Sequence, residues 1–343
     1  MPSQRAVTLA QVQASNAGID GDTYPRTAVF VGGTSGIGEA VLHELSLAGK
    51  SKWPARIYVV GREESADRVN ESLDLLRAQC PGVDLIWTPG DVSLLSEVTR
   101  ICAEFKDKEK SLDLLFLSAG YCALGGREDT KEGLPVSHSL GYYSRILFIQ
   151  HLLPLLKAST RGRVVAVLGA GMETANIDLD DLNLDKPGSF TGFGIQNHTV
   201  TMLTMTLEQL AEENRDVTFI HAYPGLVNTG NLQRGWRGRW ILQILMNIVV
   251  APFFLFWAFT IEESRQRMLY IATSAKYGGR GVPQDDGVLP GLTTRGEETG
   301  GLFMVGHMCA TMADEKLLTT LRRDAKERIW AKTVEVLGPY PPA

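Results

Sequence analysis

The chain has 343 residues, with 34 Lys and Arg against 39 Asp and Glu for a net charge of −5, and it is 44% hydrophobic and 21% charged. Those are the proportions of a folded globular protein, and without a Lys/Arg cluster they exclude a nucleic-acid partner, which needs a basic footprint for phosphates. Four scattered cysteines (Cys80, Cys102, Cys122, Cys309) make neither a disulfide scaffold nor a zinc site, and the first 25 residues carry no apolar run of a secretory signal, so a cytoplasmic setting is expected.

Residues 1–26 read as an N-terminal arm. From Thr27 onward, short β-branched apolar runs alternate with longer amphipathic ones. The strand-like runs are Thr27–Val31, Arg56–Val60, Asp84–Trp87, Leu114–Leu117, Arg163–Val167 and Thr218–His221. Helical spacing marks Gly36–Leu47, Ala66–Gln79, Ser93–Phe105, His138–Leu156, Glu262–Tyr277 and a final helix over Leu317–Leu337. The strand runs are continuously hydrophobic, as in a parallel sheet covered by helices on both faces. Six βα units in series predict an α/β fold with a doubly wound parallel sheet and right-handed crossovers. Residues 27–230 are expected to form this sheet domain and 231–277 an apolar lid. Residues 278–343 are expected to add a C-terminal strand and a helical cap to the same domain.

Between the first strand and the first helix stands Gly32-Gly33-Thr34-Ser35-Gly36-Ile37-Gly38. Gly32 permits a tight turn, Gly36 lets backbone approach a pyrophosphate, and Gly38 lets the helix pack against the strand. The helix start then offers free N–H groups to phosphates. At the end of the second strand, where an NAD enzyme carries an acid for the ribose 2′-hydroxyl, this chain has Arg62, suited to a 2′-phosphate. NADP (NADPH) is therefore the expected cofactor.

With these motifs the chain resembles the short-chain dehydrogenase/reductase family. The resemblance rests on Gly32-x-x-x-Gly36-Ile37-Gly38, on Asp91-Val92, on Leu117-Ser118-Ala119-Gly120, and on Pro224-Gly225-Leu226-Val227-Asn228-Thr229. It implies a Rossmann fold with Asp91 and Val92 at the adenine. Ser118, Gly120, Pro224, Gly225, Val227 and Thr229 would then lie along the nicotinamide end, with Arg145 approaching the cofactor. The flanking runs 9–16, 142–145 and 219–224 look like a filamentous-fungal branch often found in secondary-metabolite pathways. Assembly into a homo-oligomer through two helices is a further family expectation.

The family's chemistry moves a hydride between nicotinamide and a carbonyl or alcohol carbon. A Tyr handles the proton on oxygen, and a Lys four residues later lowers its pKa from ~10. None of the nine tyrosines has a Lys four positions on. Alignment by distance places Gly192 at the Tyr, Gln196 at the Lys, Gly169 at the usual Ser and Gly141 at the helix Asn. Replacement groups are therefore needed for redox chemistry, and the candidates are His198, Tyr142, Tyr143 and Ser139. An imidazole titrating near pH ~6.5 serves as acid or base without a helper cation. Non-redox catalysis on the same pocket (isomerisation, cyclisation or dehydration) and simple NADP(H) binding are the alternatives.

The histidines show no metal-ligand spacing, the acids from Asp178 to Asp185 read as a solvated loop, and no Gly-x-Ser-x-Gly is present. Trp240–Ile261 carries no charge and follows Arg234, Arg237 and Arg239. It reads as a lid over a hydrophobic small-molecule substrate, as a peripheral membrane contact through residues 234–261, or as a span.

Overall fold

The computed structural model describes residues 6–49, 53–121, 123, 126–227, 260–284 and 287–342. Seven strands form one sheet: β1 (Thr27–Val31), β2 (Ala55–Gly61), β3 (Val83–Pro89), β4 (Leu114–Leu117), β5 (Arg163–Val167), β6 (Thr218–Ala222) and β7 (Leu302–Val305). Their order is β3-β2-β1-β4-β5-β6-β7, and every neighbouring pair is parallel. The order reverses between β1 and β4, so a crevice opens outside the C-terminal ends of those two strands. Strands β1, β4, β5, β6 and β7 are buried along their whole length, which accounts for their uninterrupted apolar sequence.

Two helical layers cover the sheet. The helices before β6 are α1 (Leu9–Ala17), α2 (Gly36–Gly49), α3 (Ala66–Gln79), α4 (Leu95–Lys108), α5 (Ser144–Ala158) and α6 (Gly192–Glu213). After β6 come α7 (Ile261–Thr273), α8 (Glu315–Asp324) and α9 (Lys326–Leu337). One core layer joins α4, α5, α6, α8 and α9 to the sheet, and the other joins α1, α2, α3 and α7. In α4 the buried residues Leu95, Val98, Ile101, Cys102 and Phe105 form one stripe at helical spacing.

Three features go beyond the sequence reading. The arm carries a helix: Thr8 and Gln11 form a capping box at the start of α1, and the helix docks on α7. Asn16 Nδ2 donates to the Gln266 carbonyl (2.9 Å), and Arg267 donates to the carbonyl of buried Val7 (2.9 Å). The helix expected over 138–156 opens with a π-helical turn, Ser139–Tyr143. The final helix is two, broken at Ala325, whose φ of −120° leaves the helical region.

Helix α6 carries α8 and α9 of its own chain. Arg322 forks onto buried Glu208 (2.9 and 2.7 Å), and Lys326 pairs with Glu212 (2.9 Å).

Candidate active site

The glycine turn is held by contacts that admit no larger residue. Gly32 has φ +93°, and a Cβ there would stand 2.5 Å from the Ala119 nitrogen. Gly36, at φ +63°, opens α2. A Cβ on Gly38 would lie 2.4 Å from both the Gly32 carbonyl oxygen and Ser118 Oγ. The end of β4 is hooked onto this turn, since the Ser118 and Ala119 amides both donate to the Val31 carbonyl (2.8 and 3.0 Å). Gly33 packs on Phe30 and Val59, while Ser35 and Ile37 are half-buried in the first turn. This cradle, a bare backbone at a helix start on the switch point, fits a dinucleotide pyrophosphate.

Arg62 is exposed at the end of β2, and its carbonyl accepts the Ser65 amide (2.9 Å). Sequence reading missed a second cation here. Arg68 Nη2 donates to the Thr34 carbonyl (2.7 Å), and Arg68 lies 3.7 Å from Glu39. Its signal was a basic residue one turn into α3. Thr34 itself leans on Gly61, where a Cβ would meet its methyl group at 2.3 Å. Asp91 uses Oδ1 to accept from the Ser93 amide (3.0 Å) and hydroxyl (2.8 Å), and Val92 is buried beside it.

The nicotinamide-end positions also collect at the C-terminal edge of the sheet. Pro224 and Gly225, the latter at φ +82°, come two and three residues after β6, and Val227 is half-buried. Thr229 lies outside the described residues, as do residues 231–259 of the expected 231–277 lid, whereas 260–277 form α7 and the turn after it, packed in the core layer of α1 and α2. Among the described residues, no helix is long and apolar enough to cross a membrane.

The candidate catalytic side chains are corrected by their partners. Tyr142 is fully buried, its hydroxyl bonded to Thr206 on α6 (2.6 Å) and to Thr333 on α9, so it pins three helices together. Burial pushes its pKa up to about 12. Tyr143 is equally buried and donates to Asn183 Oδ1 (2.6 Å). Ser139 donates to the Ser93 carbonyl (2.7 Å). His198 is buried, with Nε2 on the Leu182 carbonyl (3.1 Å), and burial holds its pKa below the usual imidazole range. It ties α6 to the 178–186 loop. All four side chains are held by the interior.

Of the four positions named by distance alignment, Gly169 and Gln196 are neighbours. A Cβ at Gly169 would meet Val200 Cγ2 (3.0 Å), Met172 Sδ (3.1 Å) and Gln196 Nε2 (3.7 Å), and one at Gly141 would meet Thr199.

Two features escaped sequence reasoning. Glu173, just past β5, accepts from the Gly171 amide (2.9 Å) and the Thr204 hydroxyl (2.7 Å). With the hydroxyl proton so used, His221 Nδ1 must donate to Thr204 Oγ1 (2.8 Å). Burial raises the Glu173 pKa and lowers that of His221 to about 3. The second feature is a pair of half-buried phenols, Tyr121 after β4 and Tyr223 after β6. Tyr223 sets its ring edge-on to His307, with centroids 5.9 Å apart. No sequence spacing marks any of these.

Comparison with known proteins adds an independent line. The model of a family described as short chain dehydrogenase matches residues 26–175. An NmrA-like family domain-containing oxidoreductase, notO, of Aspergillus sp. is 36% identical over 95% of this chain and 94% of its own. A short-chain dehydrogenase/reductase, SAT2, of Stachybotrys chartarum is 30% identical over 90% of this chain and 91% of its own. Among solved structures, an NADPH-bound carbonyl reductase from chicken fatty liver superposes with a TM-score of 0.55 at 16% identity. That match covers 87% of this chain and 97% of the other.

Proposed function

The chain belongs to the short-chain dehydrogenase/reductase family of oxidoreductases, and on that premise we propose that it is an NADP(H)-dependent enzyme acting on a hydrophobic carbonyl or alcohol of fungal secondary metabolism. The observation that carries the cofactor half is the Gly32–Ala119 contact. It sets a bare glycine turn against the end of β4 at the switch point, with Arg62 and Arg68 at the neighbouring strand and helix. In this reading Gly32, Gly33, Thr34, Ser35, Gly36, Ile37 and Gly38 line the pyrophosphate, and Arg62 and Arg68 the 2′-phosphate. Asp91 and Val92 border the adenine. Ser118, Gly120, Pro224, Gly225 and Val227 border the nicotinamide. The bound cofactor supplies or accepts the hydride.

What this chain supplies is position and a proton. Reduction of a carbonyl needs an acid at oxygen, and the interior already holds Tyr142, Tyr143 and His198. We assign the proton to the Tyr223 hydroxyl, since that half-buried phenol follows β6 at the C-terminal edge of the sheet, two residues before Gly225. The apolar Trp240–Ile261 sequence supports a greasy substrate, because pockets take the character of what they desolvate. The fungal origin of both relatives supports the metabolic setting.

A second reading keeps the pocket without hydride transfer, and it is favoured by Gly169 and Gln196 standing where a hydroxyl and an ammonium are expected. One assay separates the two. Purified protein with NADPH and a panel of apolar ketones should consume nicotinamide absorbance in proportion to alcohol formed. Product formation with no loss of absorbance would move the chain to the isomerase, cyclase or dehydratase class.

A further inference from the structure

We propose that Arg145 is a buried charge that makes this chain bind the reduced nicotinamide dinucleotide more tightly than the oxidised form. The inference rests on the cofactor reading above and extends it to redox state.

Arg145, on the first turn of α5, is 2% exposed. Its guanidinium spends its donors on three carbonyls: Nε on Leu140 of the π-helical turn (3.0 Å), Nη1 on Val167 at the end of β5 (2.8 Å), and Nη2 on Ala119 after β4 (2.9 Å). The carbonyls satisfy its N–H groups but carry no countercharge. Among the described residues no carboxylate lies within ion-pair distance of it, whereas half-buried Arg322 sits on Glu208 and buried Arg267 on Glu263. His221 is close enough to feel the charge and is itself neutral. Burial lowers the Arg145 pKa to about 9, which leaves it cationic at neutral pH. A lone cation in a low-dielectric interior is costly and projects its field much farther than one in water.

That field points at the crevice. Ala119 stands just past the end of β4 and Val167 ends β5, two central strands, and Nη2 lies 3.6 Å from where a Cβ of Gly120 would stand. The guanidinium therefore forms the layer beneath Gly120, at the end of the crevice read as the nicotinamide side. The phosphates of the dinucleotide are the same in both redox forms, so their attraction to Arg145 cancels in a comparison. Only the ring differs, a cation when oxidised and neutral when reduced. Repulsion from Arg145 falls on the oxidised form alone.

Arg163 provides an internal control. It too is buried, with its donors on the carbonyls of Ile271, Ser274 and Gly278 and with no carboxylate partner among the described residues. It sits at the opposite end of β5, four residues from Val167, or about 13 Å along the strand.

The test is calorimetric or fluorescence titration of the full chain with NADPH and with NADP⁺. Wild type should prefer NADPH by roughly tenfold or more, which is ~1.4 kcal/mol per decade. Arg145→Met should bring the ratio to within about threefold. Arg145→Lys should keep it, and Arg163→Met should leave it unchanged. Should Arg145→Met fail to fold, Arg145→Gln keeps N–H donors without charge and should lose the preference in the same way. Equal affinities in wild type, or an unchanged ratio in a folded uncharged variant, overturn the proposal while leaving the cofactor reading intact. Failure to bind either form overturns both.

Discussion

Gly32 lies so close beneath Ala119 that one added methyl group would stand 2.5 Å from its backbone nitrogen. This contact locks the β1 turn to the end of β4 and defines the floor of the crevice. Gly32→Ala meets both the clash and a backbone at φ +93°, a region costing about 1–3 kcal/mol for a non-glycine residue. The expected outcome is a lower melting temperature by calorimetry and loss of NADPH binding in the same sample. Retained binding would mean that the turn does not form the pyrophosphate cradle.

Arg62 and Arg68 are expected to act on one part of the cofactor only. A charge-assisted hydrogen bond contributes about 1.5–3 kcal/mol, so Arg62→Ala should weaken NADPH binding at least tenfold and leave NADH binding within about twofold. Arg68→Ala should act in the same direction and more weakly, because its guanidinium also holds the Thr34 carbonyl. Parallel titrations with the two cofactors check this, and equal losses for both would remove the 2′-phosphate assignment.

Two phenols should separate structure from chemistry. Tyr142→Phe strips a buried hydroxyl from Thr206 and Thr333, and should cost about 1–3 kcal/mol of stability with kcat unchanged per folded molecule. Tyr223→Phe should leave the denaturation midpoint unchanged and lower kcat by about 10²-fold or more. Urea denaturation and steady-state kinetics on the same two preparations suffice. The reverse pattern would return Tyr142 to the active site.

Much of this was legible in the sequence, and what was not has a physical reason. The strands could be read because both sheet faces are covered, and the glycine turn because φ +93° and φ +63° leave little choice of residue. The destination of the Tyr142 hydroxyl could not be read. It is fixed by Thr333, 191 positions away, on a helix whose packing no local pattern encodes. The same holds for Glu173, Thr204 and His221, which come from a loop, a helix and a strand and meet only in the fold. Arg145 was marked on its helix as a neighbour of the cofactor, but its partners on β4 and β5 are set by tertiary packing.

The Glu208–Arg322 pair holds the C-terminal helices onto α6. Arg322→Ala leaves the Glu208 carboxylate, 1% exposed, without its fork, so a loss of about 3–5 kcal/mol is expected. The double variant Glu208→Gln with Arg322→Met should recover part of it. Chemical denaturation of the three proteins reads the difference.

Acid should unfold this protein through its buried imidazoles. Burial lowers His138 and His221 from 6.5 to about 3, so both are neutral in the folded chain while the unfolded chain protonates near 6.5. The unfolded state thus binds more protons between those values, and stability rises with pH through that window and is lost on acidification. Urea midpoints from pH 7 to pH 5 should fall with an uptake on the order of two protons per unfolding event from this pair. His221→Gln should reduce that uptake by about one, and an unchanged slope would show that His221 titrates normally in the fold.

The most direct test of the whole account is titration of the purified chain with NADPH, NADH and their oxidised forms. NADPH should bind, more tightly than NADH, with the difference lost in Arg62→Ala. No heat and no change in nicotinamide fluorescence at millimolar concentration of any of the four would contradict it.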